Sequence, residues 1–154
     1  MSVSDTTSDK LLASLQALCA RKEYCSSEML KKAVKGLDGD EDKASELVGK
    51  LVEDGFVNDL RYASAFARDK SYLDGWGPVK IRFQLRAKGI ASSVIDEALA
   101  GVDGEKATAR LRSVVESKAR SLKGDGEIRL KLLKFALQRG YEYEDADRVV
   151  RSIC

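Results

Sequence analysis

Apolar residues recur along this chain at helical spacing, in short segments that end at a glycine. In the clearest stripe, apolar residues at 44, 47, 48, 51 and 52 follow the i, i+3, i+4, i+7, i+8 pattern of one helix face. Gly55 follows at the place where a helix commonly ends. The strict alternation of apolar and polar residues that marks a strand is absent throughout. The pattern predicts an all-α protein.

The same pattern divides the chain into nine helices. Pro78 suits the first turn of the fifth helix, where the N–H that proline lacks would be unpaired. Gly89 and Gly140 end the fifth and the eighth helix. The predicted helices lie at about residues 11–19, 26–35, 44–52, 58–72, 78–88, 94–100, 111–122, 128–139 and 146–153.

An internal repeat groups these helices in threes. Residues 80–90 align with residues 131–141 at an offset of 51, so that Lys88-Gly-Ile falls on Arg139-Gly-Tyr. Three short helices bury too little apolar surface alone, so neighbouring units must pack end to end. We predict three tandem three-helix, helix-turn-helix-like repeats that form an elongated, curved array. The predicted parts are a flexible N-terminus and three repeats, at residues 1–10, 11–57, 58–102 and 103–154.

Composition excludes several classes of protein. The 154 residues include no His, which removes Ser-His-Asp and Cys-His catalysis and most transition-metal sites. We therefore expect no catalytic residue, no metal and no cofactor. The sequence offers no apolar segment long enough to span a membrane, and its three cysteines form no CxxC pair. Residues 1–10 lack the basic and apolar stretches of a secretory signal, so we expect none. These features predict reduced thiols and a cytoplasmic protein that does not contact a membrane.

Charge is distributed unevenly, although the net charge is only +2. Residues 1–77 carry a net charge of −3, and residues 78–154 carry +5. A basic second half indicates a face for a polyanion or an acidic protein surface. Lysine-rich helix faces that simply meet water give the same signal, so both interpretations stay open.

Three sequence blocks resemble the bacterial regulatory protein family RecX. They are Phe56-Val-Asn-Asp-Leu-Arg-Tyr-Ala63, Gly75-Trp-Gly-Pro-Val-Lys-Ile-Arg-Phe-Gln-Leu-Arg-Ala-Lys-Gly-Ile90 and Ile95-Asp-Glu-Ala-Leu99. Arg21-Lys-Glu-Tyr-Cys-Ser-Ser-Glu-Met-Leu30 is similar to the opening motif of that family, and Gln138-Arg-Gly-Tyr141 to its closing one. The resemblance covers about residues 11–151.

The resemblance implies a binding function. Proteins of this family bind the RecA recombinase, lodge in the helical groove of its filament on single-stranded DNA and hinder filament extension. Strand exchange, ATP hydrolysis and the SOS co-protease activity are suppressed as a result. A member of the family would be a regulator and not an enzyme, and it would use no cofactor. We expect a monomer whose contacts with single- or double-stranded DNA are weak.

Two other classes of function stay open. A helix-turn-helix module that binds DNA without RecA would also consist of three-helix units, although a net charge of +2 is modest for such a protein. An enzyme is the weaker alternative, because the sequence offers neither a nucleophile–base pair nor a phosphate-binding loop.

The candidate contact residues lie on the fifth and eighth helices. Arg82 and Arg86 are i, i+4 neighbours with Phe83 between them, opposite the core stripe of Ile81 and Leu85. A solvated basic face is the alternative interpretation. The predicted RecA or DNA contacts are Lys80, Arg82, Phe83, Arg86, Lys88, Lys131, Lys134 and Arg139.

Other positions of the family signature are expected to be structural. Asp59 is predicted to cap its own helix, with Arg61 as a possible ion-pair partner. Cys25 stands where the family commonly has a capping Ser, and Ser26 is expected to cap one residue later. The signature positions of the second and third units are Asp59, Arg61, Tyr62, Gly77, Ile81, Leu85, Gly89, Ile90 and Gly140.

Overall fold

A computed structural model describes residues 5–154 of the chain and confirms the all-α prediction. Over that range the chain forms nine helices and no strand. The helices are α1 (Asp5–Arg21), α2 (Ser26–Gly36), α3 (Glu41–Glu53), α4 (Asp59–Tyr72), α5 (Pro78–Ala87), α6 (Ser92–Ala100), α7 (Gly104–Ser121), α8 (Ile128–Gln138) and α9 (Tyr143–Ile153).

The first helix begins earlier than the apolar pattern indicates. Residues 1–10 are predicted to be flexible, but residues 5–10 form the first turns of α1, and residues 1–4 lie outside the described residues. These turns are polar, so periodicity alone gives no sign of them. Once the stripe from Leu11 is docked, each added residue gains a helical hydrogen bond without a new nucleation cost.

Each triplet of helices encloses its own apolar core. The second helix of every triplet contributes a fully buried i, i+4 pair, namely Met29 and Ala33, Ile81 and Leu85, and Leu132 and Ala136. Burial of apolar surface of this kind is the main stabilising contribution to folding. The other buried core residues are Leu15, Leu37, Ala44, Leu47, Val48, Leu51 and Val57 in the first unit, Ala63, Ala67, Ile90, Ile95 and Ala98 in the second, and Leu111, Val115, Tyr141, Ala146, Val149 and Val150 in the third.

Asp59 joins the first unit to the second. Its carboxylate accepts hydrogen bonds from the Ser26 backbone N–H at 2.7 Å and from the Ser26 hydroxyl at 2.6 Å. Asp59 therefore caps α2 of the neighbouring unit, and the prediction that it caps α4 is wrong. Asn58 caps α4 instead, by accepting from the Arg61 N–H at 2.9 Å.

Arg61 also differs from the prediction, because its ion-pair partner is Glu23 and not Asp59. Its Nε lies 2.8 Å from Glu23, and its terminal nitrogens donate to the Gly55 carbonyl at 3.2 Å. A neighbour two positions along a helix points away from Arg61, whereas Glu23 approaches it from the first unit. Arg61 thus links the loop before α4 to the segment between α1 and α2.

Lys88, at the end of α5, completes this junction. Its backbone carbonyl accepts a hydrogen bond from the Ser27 hydroxyl, and its ammonium lies 3.5 Å from the Glu28 carboxylate. The Cys25 side chain is fully buried with the core of the second unit. Partial burial opposes ionisation of Glu28, but the Cys25 N–H at 3.0 Å and the Lys88 ammonium hold the pKa of its carboxyl below the ordinary value.

Two glycines form the corresponding junction between the second and third units. The Gly77 N–H donates to the Arg139 carbonyl at 2.7 Å, and the Val79 N–H donates to the Gly140 carbonyl at 2.9 Å. A Cβ on Gly77 would overlap the Gly140 backbone. The C-terminal end of α8 therefore meets the N-terminal end of α5, as the end of α5 meets the start of α2. The second helices of the three units therefore follow one another end to end, in the order α8, α5 and α2.

Tyr141 carries a buried hydroxyl that has no hydrogen-bond partner within the described residues. Burial raises the pKa of this tyrosine to about 12. An unfolded tyrosine ionises near pH 10. Unfolding therefore releases a proton between about pH 10 and pH 12, and this contribution to stability falls as the pH rises through that window.

Tyr141→Phe is accordingly expected to leave stability at pH 7 unchanged or raise it by about 1 kcal/mol, because the unsatisfied hydroxyl is removed. Above pH 10 the advantage of the variant should grow. Urea unfolding at pH 7, 10 and 11 would measure it, with Tyr143→Phe, which removes an exposed hydroxyl, as the matched control. Parallel pH profiles for wild type and Tyr141→Phe would contradict the prediction.

Candidate partner interface on the second helices

The outward face of α5 exposes a large aromatic residue between an aliphatic and a basic one. Ile81 and Leu85 face the core, which turns Val79, Phe83 and Arg86 outward at i, i+4, i+7 spacing. Phe83 is 70% exposed and Val79 is 47% exposed. Apolar residues at such exposure, grouped on one face, commonly mark a contact surface.

The same three positions are exposed on α8. At the repeat offset, Val79, Phe83 and Arg86 correspond to Leu130, Lys134 and Leu137, which are all exposed. Lys134 is a cation in place of the aromatic, and Leu137 is aliphatic in place of the arginine. We call the six residues the outer stripe: Val79, Phe83, Arg86, Leu130, Lys134 and Leu137.

The glycine junction brings the two halves of the outer stripe together. Leu137 lies on α8, one turn before Gly140. Val79 lies at the start of α5, and its N–H donates to the Gly140 carbonyl. The two halves of the outer stripe therefore approach the same junction from neighbouring units, and their mixture of apolar and basic side chains is typical of a surface for an acidic partner.

Two of the predicted contact residues on α5 are ion-paired within the chain. Arg82 reaches Asp96 on α6 at 2.6 Å, and Lys88 pairs with Glu28. A hydrogen bond with the Tyr62 hydroxyl, together with Glu28, raises the pKa of Lys88 against its partial burial. Both cations hold elements of the fold together, while Arg86 makes no ion pair among the described residues.

Of the remaining predicted cations, three contact a partner within the chain and one does not. Lys80 lies 4.3 Å from the Trp76 ring centroid, and Lys131 pairs with Asp125 at 2.5 Å. The Lys131 ammonium, followed by the Glu127 N–H, holds the pKa of Asp125 below its ordinary value. Arg139 donates to the Asp74 carbonyl at 2.5 Å. Lys134 is exposed and makes no ion pair in the described part of the chain.

A basic groove between α7 and α8 was missed by the sequence analysis. Its volume is about 460 Å³, and no carboxylate lines it. Of the predicted contact residues only Arg139 lies there. The available signal was the run of basic and hydroxyl side chains at helical spacing on α7, from Arg110 to Ser121. The polar lining is Arg110, Ser113, Ser117, Lys118, Arg120, Ser121 and Arg139.

Within residues 5–154, no three His, Cys, Asp or Glu side chains come together as a possible metal site. No helix in that range is both long enough and apolar enough to cross a membrane.

Sequence comparison places this chain beside a family of bacterial regulators. The family model described as RecX, second three-helix domain, matches residues 58–99. Regulatory protein RecX of Clostridium botulinum (strain Eklund 17B / Type B) is 34% identical over 116 residues, which cover 73% of this chain and 54% of that protein. Regulatory protein RecX of Streptomyces coelicolor is 33% identical over 113 residues, which cover 72% and 60%. The chain thus spans little more than half the length of these relatives.

Structure comparison supports the same fold. The crystal structure of RecX from Lactobacillus salivarius superposes with a TM-score of 0.81 at 21% identity, and the match covers 96% of this chain and 97% of that one. A second crystal structure, of a regulatory protein RecX, gives a TM-score of 0.82 at 22% identity over 93% of this chain and 71% of that one. These likenesses agree with the predicted fold of three-helix units.

Proposed function

Because this chain belongs to the RecX family of regulatory proteins, we propose that it binds the RecA recombinase filament on single-stranded DNA and hinders filament extension. Strand exchange, ATP hydrolysis and the SOS co-protease activity of RecA would fall as a result. The protein would act by binding alone, as a cytoplasmic monomer, and DNA repair would be modulated through RecA.

The outer stripe is the observation that carries this proposal. It presents Phe83, with 70% of its surface exposed, beside the unpaired cation of Arg86. Aromatic side chains and arginines commonly supply most of the binding free energy when a partner buries them. Burying the exposed surface of Phe83 and Val79 against a partner would supply a hydrophobic contribution that the free protein lacks.

The repeat architecture supports a filament as the partner. The outer stripe presents exposed apolar and basic side chains at corresponding positions of two successive units, and a filament presents the same surface on successive protomers. When one unit is bound, the next is held close to its own site, so several weak contacts add through effective concentration. A serial array therefore suits a long, repeating partner better than a single compact one.

ATP hydrolysis by the cognate RecA on single-stranded DNA, titrated with this protein, tests the proposal. We expect hydrolysis to fall at concentrations of this protein well below that of RecA, because blocking extension at few sites stops further growth of the filament. A fall only after the DNA itself is saturated would contradict the proposal and favour the helix-turn-helix alternative, a DNA-binding module that acts without RecA. A parallel titration with excess single-stranded DNA separates competition for DNA from a block to extension.

A further inference from the structure

The groove between α7 and α8 concentrates positive charge that no carboxylate neutralises. Four cations line it, on Arg110, Lys118, Arg120 and Arg139, and none of them makes an ion pair among the described residues. By contrast, four cations elsewhere in the chain are each paired with Asp or Glu, namely Arg61, Arg82, Lys88 and Lys131. An unneutralised group of four cations raises the local positive potential, and it favours an anionic occupant.

Two of these arginines are held in place by backbone carbonyls. Arg110 Nε donates to the Leu73 carbonyl at 3.0 Å, and Arg139 Nη1 donates to the Asp74 carbonyl at 2.5 Å. A carbonyl fixes a guanidinium without cancelling its charge, and each guanidinium keeps further N–H donors free for an anion. The loop after α4 thus orients both arginines along one side of the groove before any ligand arrives.

The donors form a track and not a single point. Along α7 they extend from Arg110 to Arg120, which is about 15 Å at 1.5 Å of rise per residue. Ser113 and Ser117 lie between these ends on the same face and add hydroxyl donors. A linear arrangement of arginine, lysine and serine donors suits a chain of regularly spaced anions.

The lining favours a nucleic-acid backbone over an acidic peptide. Only Val114 and Phe135 are apolar among the lining residues, whereas a peptide site needs apolar pockets for its anchoring side chains. Lys118 lies 5.8 Å and Arg139 5.0 Å from the Phe135 ring centroid, so cations flank the aromatic ring. Cationic tracks beside an aromatic side chain are typical of single-strand binding surfaces.

We infer that the α7–α8 groove binds the phosphodiester backbone of one strand of single-stranded DNA. The Phe135 ring beside these cations offers a stacking surface for an unpaired base, which a duplex does not present, so the groove favours one strand over a duplex. This inference rests on the proposed function, since it assigns the DNA contact of the filament complex to the third unit. The outer stripe is left for the protein partner.

A double substitution in the groove tests the inference. Lys118→Gln with Arg120→Gln removes two cations whose side chains make no ion pair and donate no hydrogen bond among the described residues, and Arg110 and Arg139 stay in place. Binding of a fluorescent oligothymidylate, measured by anisotropy without RecA at several salt concentrations, should weaken about tenfold at low salt. The slope of log K against log salt should become shallower by about 1.4, which corresponds to two lost phosphate contacts.

The matched control is Lys35→Gln with Lys50→Gln, which removes two exposed cations from the first unit. Affinity and salt slope should stay at wild-type values in this control. Equal losses in both double variants, no change in the groove variant, or no measurable binding by the wild type would each overturn the inference. Tighter binding to a duplex of matched length would overturn the assignment to a single strand.

The same variants separate this inference from the proposed function. If the wild type inhibits RecA but the groove variant binds DNA normally, only the groove assignment fails. If the groove variant loses DNA binding while the wild type leaves RecA hydrolysis unchanged at low concentration, the proposed function fails and the groove assignment stands. Circular dichroism of each variant verifies that the helices remain formed.

Discussion

Replacing Gly77 with alanine is expected to lower the free energy of unfolding by about 3 kcal/mol, a large value for the addition of one methyl group. The backbone at Gly77 is extended and suits any residue, so the cost is steric. The new Cβ would overlap the carbonyl group of Gly140 and the N–H of Tyr141. Relief requires the two backbones to separate, which breaks the hydrogen bonds of Gly77 and Val79 across the junction.

The loss should also uncouple the third unit from the second. In a repeat array each unit depends on its neighbour, so a weakened interface separates one cooperative unfolding transition into two. Trp76 is the only tryptophan and stands beside Gly77, which makes its fluorescence a local probe of the junction. In urea, we expect the fluorescence transition and the circular-dichroism transition to coincide in the wild type and to separate in Gly77→Ala.

Gly49→Ala is the matched control. Gly49 lies inside α3, and a Cβ there would have no atom within 4 Å beyond its chain neighbours and the backbone of its own helix. Alanine in a helix interior is favoured over glycine by about 1 kcal/mol, so this variant should be more stable than the wild type. If Gly77→Ala unfolds at the wild-type urea concentration with coincident probes, the close approach of the two backbones has no energetic weight and the prediction is wrong.

The helices were predictable because their signals are local. Apolar spacing identifies a helix face, and a glycine at its end supplies the conformation that terminates it, so both lie within a few residues of one another. The repeat offset then grouped the helices into threes. The starts of α1 and α7 were the exceptions, since the first turns of both helices lie before the apolar stripe.

The junctions were not predictable, because their partners are distant in sequence. Asp59 was expected to cap α4, yet Asn58 occupies that role and leaves the Asp59 carboxylate for Ser26, 33 residues away. Ser26 therefore donates to a cap and does not form one itself. Choosing between these roles requires knowing that α2 of one unit lies against the start of α4 in the next.

The candidate interface was predicted only in part, for the same reason. Phe83 and Arg86 follow from the register of α5, because the core positions Ile81 and Leu85 fix the opposite face. Arg82 lies at the edge of that face and finds Asp96 on α6, and Lys88 finds Glu28 in another unit. A local pattern shows which side chains point away from the core, but the fold decides which of the charged ones are paired with an opposite charge.

The second large effect is expected for the pair Phe83→Ala and Arg86→Glu on inhibition of RecA. Removing the exposed aromatic ring and reversing the unpaired charge should raise the half-inhibitory concentration about 30-fold, which corresponds to about 2 kcal/mol for the loss of one anchoring cluster. The measurement is the titration of RecA ATP hydrolysis on single-stranded DNA. Stability should change little, because Phe83 is 70% exposed and contributes little to the core.

Arg82 is left unchanged in this variant, because a glutamate there would face Asp96 and disturb α6. The matched control is Val52→Ala with Lys35→Glu, which truncates another exposed apolar residue and reverses another exposed charge in the first unit. A half-inhibitory concentration equal to that of the wild type in the Phe83 and Arg86 variant would exclude the outer stripe as the RecA contact. Because the groove cations are intact in this variant, its affinity for single-stranded DNA alone should remain at the wild-type value. A loss of inhibition with retained DNA binding would therefore assign the protein contact to the outer stripe and the DNA contact elsewhere.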